Sequence, residues 1–264
     1  MKQAIKAISL LLILLLSHPL HAERLLQIDT PRGAKLNAAL IETPAPKAAV
    51  ILFAGGHGAL NLRAQGNGVA FAWGKRNFLI RTREQLAAHG LMIVSVDAPD
   101  DRQGRKGMLG GFRSSQAHVD DIDALIAQLR QIADVPVWLV GTSRGTESAA
   151  NIAIASQQAP AGLVLTSSMT DGDAKGQAVL DMALEQIRIP TLITHHRDDG
   201  CRKTRPERVD EIAARLTQAA PVELKWFSGG REQSKPCKAM SHHGYLGIED
   251  EVVDAMAAFI LANS

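Results

Sequence analysis

Residues 135–155, VPVWLVGTSRGTESAANIAIA, pass from an apolar run suited to a buried strand into a small-residue helix, with only Gly141, Thr142, Ser143, Arg144 and Gly145 between them. A strand that turns straight into a helix belongs to a layered α/β architecture, because the helix must fold back over the sheet that holds the strand. The reversal strains the residue at its apex, and side chains two positions to either side would collide with neighbouring elements, which is the physical reason for the flanking glycines. Ser143 is thereby offered at a helix N-terminus, where oriented amides and the helix dipole favour negative charge.

The same alternation runs through the chain. Buried-type strand candidates lie at 48–53, 91–96, 135–140, 162–166, 189–194 and 222–227, with two more polar runs at 25–29 and 35–41 suited to an antiparallel leading edge. Between them Val119, Ile122, Ile126, Leu129 and Ile132 share one helical face behind Ser114 or Ser115 as N-cap. Val209, Ile212, Ala213 and Leu216 do the same behind Thr204 and Pro206, and a last helix from Glu249 turns Val252, Met256, Phe259 and Ile260 inward. The pattern predicts a mostly parallel central sheet of about eight strands with helices on both faces, in one domain over residues 23–264.

Residues 1–22 read differently. Lys2 and Lys6 precede an apolar run from Ile8 to Leu16 that ends in small residues at Ala22, the plan of a secretory signal peptide and too short to span a bilayer. Without that segment 27 Lys and Arg face 27 Asp and Glu, so no cationic excess points to nucleic acid as the main partner. Cys201 and Cys237 form an even pair in a chain read as periplasmic or secreted, where a disulfide is expected and two free thiols are the alternative.

On the GTSRG turn in its strand-to-helix setting, the chain resembles the α/β-hydrolase family, and in particular its dienelactone-hydrolase-like and esterase members. The resemblance implies a serine hydrolase that cleaves an ester, thioester or amide bond through an acyl-enzyme, with no cofactor and no metal, acting on a small-molecule acyl substrate. It makes Ser143 the nucleophile. AVILFAGGHGAL at 49–60 is similar to the His-Gly-Gly-Gly loops of lipases and esterases, with Ala54 where histidine is often found, and implies an oxyanion hole from the amides of Gly56, His57 and Arg144. IPTLITHHRDDG at 189–200 resembles the family's acid loop and puts Asp199 at the acid position, with Asp198, Asp171 and Asp173 as competitors. AMSHHGYLGIEDEV at 239–252 puts His243 at the histidine position, with His242 as its competitor. The chain order Ser, Asp, His is that of the fold. A Cys201–Cys237 disulfide would staple the acid loop to the histidine loop.

Substrate is less constrained. The segments 59–77 and 97–113 read as loops at the carboxyl ends of strands, where Phe71, Trp73, Met108, Leu109 and Phe112 are candidates for an apolar wall. Arg144 beside the nucleophile, with Arg81 and Arg83, suggests an anionic acyl group. Two other classes compete: a noncatalytic binding protein on the same fold, and a metal-dependent hydrolase using His195, His196, Asp199 and His243. Oligomeric state is not specified by the sequence.

Overall fold

The computed structural model describes residues 23–264, so the expected signal peptide lies outside the described residues. The strands are β1 (Glu23–Asp29), β2 (Lys35–Ile41), β3 (Ala49–Phe53), β4 (Leu62–Gln65), β5 (Gly68–Phe71), β6 (Met92–Val96), β7 (Val137–Thr142), β8 (Gly162–Thr166), β9 (Thr191–His196) and β10 (Val222–Phe227). The helices are α1 (Phe78–Arg81), α2 (Arg83–Ala88), α3 (Gln116–Ile132), α4 (Gly145–Ala155), α5 (Val209–Arg215) and α6 (Glu249–Ala262).

Eight strands form one sheet in the order β1-β2-β6-β3-β7-β8-β9-β10. From β6 to β10 neighbouring strands pair in parallel, and β1 and β2 add an antiparallel edge, as the sequence pattern predicts. Alternate side chains leave the strands on opposite faces. Ile51, Val94, Leu139, Leu165 and Ile193 pack with α3, α4 and α5 on one face. Val50, Ile93, Trp138, Val164 and Leu192 pack with α1, α2 and α6 on the other. Both faces are therefore dry, which is why the central strands are mostly apolar, their few polar residues, such as Ser95, Thr166 and Thr194, being buried.

The order of strands reverses at β3. The chain moves from β3 outward to β6, then returns to the other side of β3 as β7. At such a switch point the loops leaving two neighbouring strands diverge and open a crevice at their carboxyl ends. Gly55 and Gly56 follow β3 there, and Ser143 follows β7.

One departure from the sequence reading lies beside this crevice. The segment 59–77, read as a loop, contains the β4–β5 hairpin, which turns through Gly66 and Asn67. The hairpin packs Leu62 and Phe71 onto Ala39 and Ile80 in a separate small core.

Candidate active site

Ser143 stands at the end of β7 with φ of +52°, a left-handed backbone that costs a side-chain-bearing residue roughly 1–2 kcal/mol. The surroundings hold it there. Its amide donates to the Thr166 carbonyl at 3.1 Å, and its own carbonyl accepts from the Thr146 amide at 2.9 Å and the Thr146 hydroxyl at 2.6 Å. The glycines on either side are required by close approach. A Cβ on Gly141 would lie 2.5 Å from the Gly145 carbonyl oxygen, and one on Gly145 would overlap the Phe53 carbonyl oxygen of β3. Gly55 plays the same part opposite, where a Cβ would sit 3.0 Å from the Ser143 Cβ.

Asp199 is buried in the loop that follows β9 and accepts three protein donors. Oδ1 takes the Cys201 amide at 2.9 Å, while Oδ2 takes the Thr204 hydroxyl at 2.8 Å and His243 Nδ1 at 2.9 Å. Burial alone would push the carboxyl above its usual range by penalising the charged form, but the His243 ring beside it, with its hydrogen bond and help from His195, holds it below that range. Since Nδ1 of His243 donates to this carboxylate, Nε2 is left as an acceptor. The His243 backbone is fixed as well: its carbonyl accepts the Ser167 hydroxyl at 2.9 Å, and Tyr245, two residues on, anchors its phenol to the Thr194 carbonyl at 2.9 Å.

The competing residues are engaged elsewhere. Asp198 is exposed; Asp171 pairs with Arg205 and Arg208; Asp173 pairs with Arg144 and Lys203. His242 stacks on His196 at 4.4 Å between ring centroids.

Ser143 and His243 line one cavity of about 630 Å³, together with Gly55 and Gly56. Trp73, Phe78 and Met240 make its walls apolar, and Lys75, Arg76 and Lys238 stand in its lining. Among the described residues the amides of Gly56, His57 and Arg144 have no hydrogen-bond partner.

Three expectations need correction. Phe71 is buried in the hairpin core and does not reach the cavity. Met108 and Phe112 pack with Ala59 and Ala98 in another cluster, leaving Trp73 as the apolar-wall candidate that lines the cavity. The arginines read as anion ligands are already paired with carboxylates: Arg144 with Asp173 at 2.7 Å, Arg81 with Glu249 at 2.9 Å and Arg83 with Glu23 at 2.7 Å. Each fills a structural role that sequence proximity to the serine could not reveal.

The proposed metal cluster also divides. His195 and His196 are consecutive on β9 and point to opposite faces, so only His195 approaches Asp199, at 3.5 Å. On the other face His196, Asp198 and His242 have ligand atoms within 4.8 Å of one another. Both His196 ring nitrogens are occupied there, Nε2 by the Gly229 carbonyl at 2.9 Å and Nδ1 by the Asp198 amide at 3.0 Å. A metal would have to displace one of these bonds.

Sequence reasoning missed four supporting residues. Arg113 and Asp97 tie down the loop after β3, Asp97 by accepting the amides of Leu60, Asn61 and Leu62 at 2.6–3.1 Å. Thr204 and Ser167 hold the acid and the histidine. Asp97 alone left a signal, as an acid immediately following a buried strand.

Cys201 and Cys237 are joined in a disulfide with Cα atoms 4.6 Å apart, linking the loop after Asp199 to the loop before His243.

A family model described as serine aminopeptidase, S33, matches residues 77–214, a stretch that holds the β7–α4 turn and Asp199. The chain belongs to this α/β-hydrolase family. Solved structures agree on the fold. An esterase of Pyrococcus furiosus is 14% identical with a TM-score of 0.67, covering 92% of this chain and 91% of its own. Est1E from Butyrivibrio proteoclasticus is 16% identical with a TM-score of 0.60, covering 90% and 98%. An α/β serine hydrolase without a lid from Xanthomonas campestris is 16% identical with a TM-score of 0.56, covering 90% and 94%. No curated protein sequence matches the chain. Membership makes this protein a hydrolase of the α/β class.

Proposed function

We propose that the protein is a serine esterase working through an acyl-enzyme. One observation carries the reading: a buried Asp199–His243 hydrogen bond of 2.9 Å stands at the same cavity as a serine held at positive φ. His243 Nε2 takes the Ser143 hydroxyl proton as Oγ attacks the acyl carbon. Charge then develops on the carbonyl oxygen, where the amides of Arg144 and of Gly56 or His57 receive it. Collapse breaks the bond to the leaving alcohol, which takes its proton from His243. Water, deprotonated by the same imidazole, attacks the acyl-enzyme and releases the acid and free Ser143. Asp199 keeps the ring in the required tautomer throughout.

The N-terminal segment supports export to the periplasm or beyond, and the Cys201–Cys237 disulfide fits an oxidising compartment. Among the described residues no helix is long and apolar enough to cross a membrane.

A fluorophosphonate probe tests the nucleophile. Wild-type protein is labelled at Ser143 and hydrolyses p-nitrophenyl acetate, and Ser143→Ala loses both. Unlabelled wild type would mean that the fold is retained without the chemistry, as in a noncatalytic binding member.

A further inference from the structure

We propose that the cavity selects esters that carry a negative charge, an inference that rests on the esterase reading above and names its substrate class. Three cations line the cavity: Lys75 and Arg76 from the segment before α1, and Lys238 from the loop before His243. All three side chains are exposed, and among the described residues none is paired with a carboxylate, unlike Arg81, Arg83 and Arg144. No lining residue is Asp or Glu. Of the acids in the neighbouring elements, Glu249 is paired with Arg81 and Asp199 is sealed behind His243.

The two cationic walls are held in fixed relation by Arg81. Its guanidinium donates to the Arg76 carbonyl at 2.8 Å on one wall, to the Ala239 carbonyl at 3.2 Å and the Gly244 carbonyl on the other, and is itself neutralised by Glu249. Charge of one sign, gathered at the mouth of a cleft with apolar walls, concentrates ligands of the opposite sign. The same field opposes an aminopeptidase-like use of the site, because a peptide's free α-ammonium would meet three positive groups and no carboxylate.

Two measurements separate this inference from the esterase reading beneath it. In the first, kcat/KM is compared for mono-p-nitrophenyl glutarate, an anion, and p-nitrophenyl pentanoate, its neutral counterpart, each divided by its hydroxide-catalysed rate. A second pair, 4-acetoxybenzoate and methyl 4-acetoxybenzoate, moves the charge to the leaving group. Wild type is expected to favour the anion of at least one pair about tenfold at low salt, with the preference shrinking in 0.5 M NaCl to about twofold. The triple variant Lys75→Gln, Arg76→Gln, Lys238→Gln is expected to bring the ratio to about one. The second measurement uses Ser143→Ala, with and without the three Gln substitutions, and reads the affinity for the same unhydrolysed esters by calorimetry. The inference is overturned if the anions bind no better than the neutral esters, or if the triple variant keeps the wild-type ratio. Absence of turnover and labelling together with tight anion binding would instead remove the nucleophile and leave the charged cavity standing.

Discussion

The Arg113 guanidinium, 2% exposed, donates to the Ala54 carbonyl at 2.9 Å and to the Ser148 hydroxyl at 2.7 Å, and so bolts the loop after β3 to the helix that starts behind Ser143. The two amide donors assigned to the oxyanion come one from each of these elements, so their separation depends on this bridge. Burial, only partly offset by Glu147, pulls Arg113 down to about 10 without discharging it at neutral pH. Arg113→Lys replaces a fork with a single point charge that cannot serve both partners. We expect kcat on p-nitrophenyl acetate to fall by roughly tenfold to a hundredfold with KM little changed, since a loosened oxyanion site is felt mainly in the transition state. Unchanged kcat in a folded variant would show that the loop keeps its position without the bridge.

Ser143→Gly and Ser143→Ala should part company in stability while both lose nearly all turnover. Alanine keeps the Cβ that is strained at a φ of +52°, whereas glycine relieves it and gives back part of the gain as backbone entropy. The net advantage of glycine over alanine is about 0.5–1 kcal/mol. Thermal unfolding should place the Gly variant roughly 1–4 °C above the Ala variant. Equal Tm values would mean that the turn relaxes when the serine is replaced.

The central strands are readable because burial on both faces makes their sequences nearly continuous apolar runs, and β8 and β10 fall on residues 162–166 and 222–227 as the pattern predicts. The apolar pattern puts β7 two residues early: Pro136 lacks an amide for the ladder, and pairing with β8 continues to Thr142. The β4–β5 hairpin is hard to read from sequence although Gly66-Asn67 between two short runs is a recognised hairpin turn, because neither run alternates cleanly. Ser143, Asp199 and His243 could be singled out because the turn after β7, the loop after β9 and the loop before α6 have fixed places in the chain order, and the fold brings Asp199 and His243 into a hydrogen bond. The roles of Arg81 and Arg113 were not, since their partners include backbone carbonyls of Gly244 and Ala54, brought near only by the finished fold.

Acid should destabilise the protein well above the carboxylate range. His118 and His195 are buried, and desolvation pushes them down to about 3 and about 4, Arg113 adding to the effect on His118 and Asp199 opposing it on His195. In the unfolded chain histidine titrates near 6.5. Above that pH neither state binds these protons; below it the unfolded chain takes them and the native protein does not, so stability falls as pH drops from about 6.5 toward 4. The depressed Asp199 extends the loss into the carboxylate range as its hydrogen-bonded carboxylate is protonated. Urea unfolding at pH 7.5, 6.0, 5.0 and 4.5 should show a progressive decrease of several kcal/mol, on the order expected for two shifts of this size. A flat profile across that window would mean that one or both imidazoles reach solvent.

The disulfide is the last element that ties the acid to the histidine, and its two ends differ in accessibility. Cys201 is buried and its amide donates to Asp199, while Cys237 is exposed and lines the cavity beside Lys238. A reductant can therefore reach the bond from the cavity side. Opening a crosslink between residues 36 apart should cost about 2–4 kcal/mol through the freedom it returns to the unfolded chain. In the native protein the loop before His243 would lose its tether, so kcat should drop with the same treatment. Cys201→Ala with Cys237→Ala is the matching variant, because serine would leave a hydroxyl buried at position 201. Dithiothreitol should lower the wild-type Tm to that of the double variant and leave the variant where it is; a wild-type Tm indifferent to reductant, with thiols shown to be free, would mean that the loop is held by its other contacts alone.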